Sequence, residues 1–393
     1  MKAVFGFLVL FLVSFQVSWA QEENDSTKQS YWKDHFTFGG YIKYMNTNSF
    51  VNLNQIATDN LFHNRLNLKY YINNNWTAKV EMRNRIFYGA SLQAVPNYAN
   101  SIGLDAGAVD LSFNVINEPG LLFNSTIDRA NIEFNKGKWN VKLGRQRINW
   151  GINLAWNPND LFNAYNFVDF DYTERPGSDA ARVTYYATDM SQIELAYRPG
   201  KTMDESTLAA LYKFNKWRYD IQFIAANYRT DLAAGFGFAG NIWQAGFKGE
   251  GTYFHPKNNL SDTNGVFTAS ISSDYTFGNG LYLNLSGYYN SGAGGFNSLA
   301  QLSTLNTLSA KNLLPTEFAG FVQVSKAFTP IFGAGISIMY LPGINGVFAI
   351  PTLNYSIAQN WSLDFIGQIL FAEVNNKFTN ASNSLFMRLM WSF

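Results

Sequence analysis

The chain has 393 residues but contains no cysteine, only three histidines and few charged side chains. Without cysteine it cannot form disulfides or thiolate metal sites. His35, His63 and His255 are far apart and belong to no recognisable nucleophile or metal motif, so we expect neither an enzyme nor a cofactor. Charged residues make up 15% of the chain, whereas about a quarter is usual in soluble domains. With a net charge of +1, the composition gives no reason to expect nucleic acid as a partner.

A hydrophobic run suited to a membrane-spanning helix is also missing. Residues 327–363 carry no charge, but Pro342, Gly343 and Gly346 interrupt them, which favours two strands and a turn over a helix. The mean hydropathy of −0.14 would by itself indicate a soluble protein. Strands that alternate between lipid-facing and water-facing residues average to similar values, so hydropathy does not exclude a transmembrane β-barrel.

The first twenty residues have the pattern of a secretory signal peptide. Lys2 precedes an apolar stretch from Val4 to Val13, and Ser18-Trp19-Ala20 places small residues at the two positions that signal peptidase reads. We therefore expect residues 1–20 to be removed by cleavage after Ala20. The rest of the chain divides into a periplasmic tail over 21–35 and a single domain over 36–393.

That domain shows a regular alternation of apolar and polar residues, which is clearest in its last ten residues. One face of the strand predicted there consists of Leu385, Met387, Leu389, Trp391 and Phe393. We expect this apolar face to lie against lipid and the strand to close a sheet.

Turn-forming residues divide the domain into segments of roughly ten residues, the strand length of outer-membrane barrels. Short turns are predicted at 73–75, 135–138, 188–191, 215–216, 240–241, 277–280, 328–330 and 358–360. Longer loops alternate with them at 47–60, 89–125, 148–179, 199–206, 229–231, 255–264, 291–315, 342–346 and 374–383. The pattern predicts an all-β fold, a transmembrane antiparallel β-barrel of eighteen strands with short periplasmic turns and long extracellular loops. Omitting the glycine-rich strand at 232–240 with its partner would give sixteen strands, and a secreted soluble β-protein is the alternative fold.

Basic residues concentrate on the predicted inward faces in the first third of the chain. The charged residues predicted to line the pore are Arg65, Lys69, Lys79, Glu81, Arg83, Arg85, Arg129, Glu133 and Arg182. Such a wall would attract anions into the pore. Alternatively, Glu81 and Glu133 pair with some of the arginines, which would then be structural ion pairs. Arg145 and Arg147 fall on a lipid-facing parity, so either Gly144 bulges the strand or both arginines lie above the hydrocarbon.

The loop over 148–179 is the most distinctive segment because it combines many aromatic residues with acidic ones. We expect it to fold into the barrel as a constriction, since so many aromatic side chains would not remain in water. The residues predicted to form this constriction are Trp150, Trp156, Asn157, Asp160, Asp169, Asp171 and Arg175. Its acidic residues could instead hold Ca²⁺, although they lack the spacing of a calcium-binding loop.

In these features the chain resembles the general and substrate-selective porins of Gram-negative outer membranes. The resemblance covers the signal peptide, the series of strands and Phe393, which is similar to the terminal aromatic residue read by the barrel-assembly machinery. Short stretches are similar to large barrels of the alginate-export and related uncharacterised porin type, namely Gly144-Arg145-Gln146, Trp150-Gly151, Asn157-Pro158 and Arg175-Pro176-Gly177. The abundance of Asn, Tyr and Phe resembles that of proteins from Bacteroidota. The resemblance implies a solute channel and does not identify its solute.

Together these features predict an outer-membrane porin that lets small hydrophilic solutes diffuse passively. The basic wall and the loop constriction would bias it toward anions. Its expected partners are outer-membrane lipid, the barrel-assembly machinery and small solutes, and an oligomer is compatible with the sequence. The alternative is a non-conducting barrel that serves as an adhesin or as a structural partner in an envelope complex, because the loops at 89–125 and 291–315 could dock other proteins.

Overall fold

The computed structural model describes residues 31–105, 107–164, 171, 175, 177–258, 260–261, 264–293, 308–374 and 376–393. The predicted signal peptide and residues 21–30 of the predicted tail lie outside these ranges. The strands are β1 (Phe36–Phe50), β2 (Ile56–Tyr71), β3 (Trp76–Gly89), β4 (Ser112–Glu118), β5 (Leu121–Lys136), β6 (Trp139–Gln146), β7 (Ser178–Thr188), β8 (Ser191–Arg198), β9 (Thr207–Lys216), β10 (Tyr219–Tyr228), β11 (Asp231–Ile242), β12 (Ala245–Pro256), β13 (Val266–Thr276), β14 (Leu281–Asn290), β15 (Phe318–Thr329), β16 (Phe332–Leu341), β17 (Gly346–Ala358), β18 (Trp361–Val374) and β19 (Lys377–Ser392). Short helices are α1 (Tyr31–His35), α2 (Ala90–Ala94) and α3 (Tyr98–Gly103), with 3₁₀ turns at Met203–Glu205 and Pro342–Ile344. Among the described residues, no helix has the length and apolar character needed to cross a membrane.

All strands except β4 form a closed antiparallel barrel of eighteen strands. β19 pairs with β1, from Ser392 opposite Tyr41 to Asn383 opposite Phe50, and this pairing closes the sheet. Closure gives hydrogen-bond partners to backbone groups that an open edge would leave unpaired in lipid. The predicted fold class is therefore confirmed. The glycine-rich segment at 232–240 belongs to β11, so the sixteen-strand alternative is wrong.

The two faces of the barrel wall differ in polarity. On β2, Phe62 and Leu68 are exposed on the outside, whereas Arg65 on the opposite face is buried; on β13, Ile271 is exposed and Ser270 is buried. Exposed tryptophans stand beside several of the short turns, at Trp76, Trp139, Trp217, Trp243 and Trp361. An apolar outer face with aromatic residues near its rim is the surface that suits a lipid bilayer.

Two outer connections are shorter than predicted because their strands continue through polar residues. A loop is predicted over 47–60, yet β1 and β2 extend into it, and Asn46 donates a hydrogen bond to the side chain of Asn60 at 3.0 Å. Similarly, only residues 375–376 separate β18 from β19, although a loop is predicted over 374–383. The change to polar residues therefore marks the edge of the apolar belt and not the end of the strand.

The predicted loop at 89–125 contains α2, α3 and β4, and β4 repairs a gap in the barrel wall. β6 pairs with residues 130–136 of β5 and ends at Gln146. β4 pairs with residues 121–126 of the same strand. It therefore takes the place beside β5 that β6 leaves vacant when the chain turns into the barrel.

The C-terminal residue lies at the seam between β19 and β1. The backbone N–H of Phe393 donates to the carbonyl oxygen of Gly40, and the N–H of Gly40 donates to that of Phe393, both at 3.0 Å. The Phe393 ring lies 5.7 Å from the Phe38 ring and 5.2 Å from the Trp391 ring, measured between centroids. Its predicted role as an assembly signal stays a prediction.

We expect Gly40→Ala to destabilise this seam. A β-carbon at Gly40 would overlap the carbonyl oxygen of Arg65 on β2 and lie 3.0 Å from the ring of Phe393. Overpacking of this kind typically costs about 1–3 kcal/mol. Gly320→Ala on β15 is the matched control, since nothing lies within 4 Å of the added carbon there. Urea unfolding of the barrel in detergent should show a lower midpoint for Gly40→Ala alone, and equal midpoints would contradict a tight seam.

Candidate functional site in the barrel interior

After β6 the chain leaves the wall and crosses the barrel interior as residues 147–164, here called the inner segment. Its residues Ile148, Trp150, Leu161 and Phe162 belong to one buried cluster with Ala180, Ala196, Ala209, Leu211, Ile224, Tyr228, Ala233 and Phe254 of strands β7 to β12. Farther along, Trp156 packs against strands β14 and β15, with its ring centroid 5.4 Å from that of Tyr288 and 6.3 Å from that of Phe321. The inner segment therefore contacts two walls of the barrel.

Buried hydrogen bonds hold the inner segment to the side chains of these walls. The Trp150 indole donates to Glu194 at 2.6 Å, and the Ile152 N–H donates to Glu250 at 2.8 Å. Farther along the segment, the amide of Asn153 donates to Ser270 Oγ at 2.6 Å and accepts from Ser272 Oγ at 2.6 Å, and Thr252 Oγ1 donates to Asn159 Oδ1 at 2.7 Å. Because these hydrogen bonds join the segment to β8, β12 and β13, it is fixed along much of its length.

The predicted constriction residues Trp150, Trp156, Asn157 and Asp160 are all buried in this segment. Asp160 Oδ2 lies 3.9 Å from Nη1 of Arg175. Asp160 belongs to the connection between β6 and β7. Burial raises the pKa of its carboxyl to about 7, although the charges of Arg175 and Arg147 act to lower it. Their role as a constriction stays a prediction.

The other predicted acidic residues of this loop are Asp169 and Asp171. Asp169 lies outside the described residues. Asp171 accepts a hydrogen bond from Lys43 Nζ at 2.7 Å and lies 3.3 Å from Nη1 of Arg388. Lys43 is itself fully buried, so this contact fastens the loop to β1.

The basic wall is organised around Arg65, which is fully buried. Its guanidinium pairs with Glu81 on β3 and, at 2.5 Å, with Asp128 on β5. Glu81 also pairs with Lys79, and Asp128 lies 3.0 Å from Arg83. Three cations therefore share two carboxylates, which supports the interpretation of these residues as structural ion pairs.

The remaining predicted pore residues differ in their surroundings. Arg85 donates to Asn124 at 2.8 Å, and Arg129 donates to the backbone carbonyl oxygen of Arg175 at 2.6 Å. Ion pairs join Glu133 to Lys142 at 2.9 Å and Arg182 to Glu194 at 4.0 Å. Lys69 is exposed and has no ion-pair partner in the part of the chain that the structure describes.

Parity alone could not place Asp128 or Arg145. A register shift between β3 and β5 leaves Asp128 as an extra residue, so it and its neighbour Arg129 are both buried. Arg145 follows Gly144, whose φ is 106°, and is enclosed instead of facing lipid or lying exposed above it. It pairs with Asp105 at 2.5 Å and with Asp179 at 2.8 Å.

Within the described ranges, no group of three or more His, Asp or Glu side chains is arranged to hold a metal ion. Asp160 and Asp171, the described acidic residues of the predicted calcium alternative, instead lie beside Arg175 and Lys43. The described geometry therefore offers no support for a calcium site.

Comparison with solved structures identifies proteins that share the fold of this chain. No family model matches the chain, and no curated protein matches it. OccK5 (OpdH) of Pseudomonas aeruginosa matches with 9% identity over 92% of this chain and 99% of its own, at a TM-score of 0.57. OccAB4 of Acinetobacter baumannii matches with 10% identity over 94% of this chain and 100% of its own, at a TM-score of 0.55. OpdK of P. aeruginosa, solved with vanillate, matches with 7% identity over 92% of this chain and 99% of its own, at a TM-score of 0.56.

These neighbours are outer-membrane porins with closed eighteen-stranded barrels. This chain has their fold. At such low identity the likeness extends to the architecture and no further. It gives no support to the alginate-export type or to an origin in Bacteroidota.

Proposed function

We propose that this protein is an outer-membrane porin through which small hydrophilic solutes diffuse passively. The observation that carries the proposal is a closed eighteen-stranded barrel whose outer face is apolar and whose interior holds charged and amide side chains. Such an interior favours water and hydrophilic solutes over lipid. The fold shared with outer-membrane porins supports the same location. The proposal includes export by a cleaved signal peptide, insertion by the barrel-assembly machinery and no enzymatic activity.

In this proposal the inner segment sets the width of the channel. Its support is the packing of Trp150 and Trp156 against two walls and the hydrogen bonds that the segment donates to Glu194, Glu250 and Ser270. A segment fixed at both walls would exclude solutes by size without moving.

The same packing favours one alternative, a barrel that does not conduct. Beside Trp156, the interior also holds the buried side chains of Leu313 and Leu314, which precede β15. If these groups seal the lumen, the barrel would serve as an adhesin or as a structural partner in an envelope complex.

Planar-bilayer recording of the purified full-length protein distinguishes the two functions. A porin should produce discrete conductance steps in KCl, and liposomes that contain it should swell in small sugars faster than in large ones. A folded barrel that gives no steps and no swelling would exclude the porin and leave the structural role.

A weak preference for anions is the finer part of the proposal. One positive charge is in excess here, because three cations, Arg65, Lys79 and Arg83, share the two carboxylates of Glu81 and Asp128. Lys69, which faces the same interior and is exposed, adds another. Because most of the basic wall is neutralised, we expect the excess to bias permeation modestly and not to impose strict selectivity.

Lys69→Gln should lower the anion-to-cation permeability ratio by about twofold, as expected for one charge screened by water and salt. The measurement is the reversal potential in a KCl gradient. Lys138→Gln is the matched control, because Lys138 lies exposed in a short turn and donates to a backbone carbonyl oxygen. An unchanged reversal potential in Lys69→Gln would remove this lysine from the selectivity of the pore.

A further inference from the structure

Strands β8, β9 and β10 bring four polar side chains together at the outer rim of the barrel. Thr207 on β9 lies opposite Arg198 on one side and opposite Tyr228 on the other. Arg229 follows Tyr228 in the two-residue turn that leads to β11. We call Arg198, Thr207, Tyr228 and Arg229 the rim cluster.

The rim cluster contains buried polar atoms that the protein leaves without partners. Thr207 is 0% exposed and Tyr228 is 2% exposed. In the described part of the chain, no hydrogen-bond partner is available to either hydroxyl or to the buried Nε–H groups of Arg198 and Arg229. Buried polar groups are nearly always hydrogen-bonded, so four unpartnered ones in adjoining positions indicate a group that arrives from outside the chain.

The charges of the rim cluster are also uncompensated. Among the described residues, neither guanidinium has a carboxylate within ion-pair distance: Glu205 offers Arg198 its backbone carbonyl oxygen at 3.3 Å, while its carboxylate accepts from the N–H of Lys201 at 2.9 Å. Asp231, across the turn, is already paired with Lys311 at 2.8 Å. The charge of Arg229 acts unfavourably on that of Arg198, and its guanidinium carbon lies 5.3 Å from the Tyr228 ring centre. Two neighbouring cations of this kind are stabilised by an anion placed between them.

The direction of the cluster selects the source of that anion. Tyr228 packs in the same buried cluster as Trp150 and Phe162 of the inner segment, so its ring points into the barrel and away from the lipid face. An anion bound there would come from the solution at the mouth of the barrel and not from a lipid headgroup.

We propose that the rim cluster binds a small oxyanion, a phosphate or carboxylate group of a dissolved solute, at the outer mouth of the barrel. The two guanidiniums supply charge and N–H donors, while the Thr207 and Tyr228 hydroxyls donate to the remaining oxygens. The site itself requires only the fold. Its use as a first binding position for a permeating solute rests on the proposed function.

Direct binding to the full-length barrel folded in detergent tests the site. Isothermal titration with inorganic phosphate and with acetate should show one binding event per barrel. Tyr228→Phe and Thr207→Val, which remove one hydroxyl each and keep the shape, should weaken phosphate binding about tenfold, and Arg229→Gln at least as much. Lys257→Gln is the control, since Lys257 carries the same charge near the same rim but donates to Asn227 at 2.7 Å on the outward side. Its affinity should equal that of the unaltered protein.

Several results would overturn the proposal. The first is that neither phosphate nor acetate binds. The second is an unchanged phosphate affinity in both Tyr228→Phe and Arg229→Gln. The third is that the barrel binds phosphatidic acid in vesicles but does not bind free phosphate. Bilayer conductance recorded on the same preparations separates this inference from the porin. Conductance without oxyanion binding rejects the rim site and keeps the porin, whereas binding without conductance keeps the site and rejects the porin.

Discussion

Replacing Arg65 by methionine should destabilise the barrel by about 3–5 kcal/mol, the usual effect of removing one partner from a buried ion pair. Arg65 is fully buried, and its guanidinium is the only group that bridges Glu81 on β3 and Asp128 on β5 in the described structure. Without it, each carboxylate keeps one cation, Lys79 or Arg83, but loses its fully buried hydrogen-bond donor in a place away from water. Urea unfolding in lipid vesicles, followed by tryptophan fluorescence, measures the free energy of unfolding.

The control for this substitution is Lys79→Gln. Lys79 pairs with the same Glu81, but a third of its side chain is exposed, so its loss should cost no more than about 1 kcal/mol. The double variant Arg65→Met with Glu81→Gln should recover part of the lost stability, because Asp128 keeps Arg83 and the third-exposed Lys79 can be hydrated when it loses Glu81. Equal decreases in the free energy of unfolding for Arg65→Met and Lys79→Gln would show that water solvates the Arg65 site as well as it solvates Lys79.

Replacing residues 149–163 of the inner segment by a short Gly-Ser linker should raise the single-channel conductance severalfold. The segment crosses the interior between two walls, and its removal would leave the strands of the barrel intact. The variant should also admit larger sugars in liposome swelling. Heat-modifiable migration in gels and the circular-dichroism spectrum establish that the shortened barrel is folded.

A milder change in the same segment provides a graded comparison. Asn153→Ala removes the amide that bonds to Ser270 and Ser272, both at 2.6 Å, and keeps the aromatic contacts. We expect conductance close to that of the unaltered protein, with faster fluctuations between sublevels. If the barrel with the Gly-Ser linker and the unaltered barrel have the same single-channel conductance, the inner segment does not set the width of the pore.

The strands were predictable from sequence because each must present one apolar face to lipid, and that requirement leaves a period of two in the residues. The glycine-rich strand β11 is a case in point, since alternation of Leu232, Ala234 and Phe236 on its outer face persists despite the glycines between them. The interior carries no such constraint. The placement of Asp128 depends on a one-residue register shift, and a bulge does not alter the polarity pattern enough to be seen in advance.

Only some partners of the interior charges could be predicted from the sequence. Glu81 is close to Arg65 in the predicted pairing of β2 and β3, and this contact could be anticipated. Lys43 with Asp171, in contrast, joins residues 128 positions apart through a loop whose path no local pattern determines. The rim cluster was not predictable for a related reason, since Arg198, Thr207 and Tyr228 become neighbours only through the register of three strands.

The position of β4 has a consequence for the order in which this barrel can be assembled. β4 precedes β5 in the chain and already covers residues 121–126 of that strand, the part that β6 never reaches. A hairpin of β4 and β5 can therefore form locally, before the inner segment, residues 147–164, has docked in the interior. We expect the early intermediate to carry no long unpaired edge at this place, so the slow step of folding should be the docking of the inner segment rather than the closure of the wall around it.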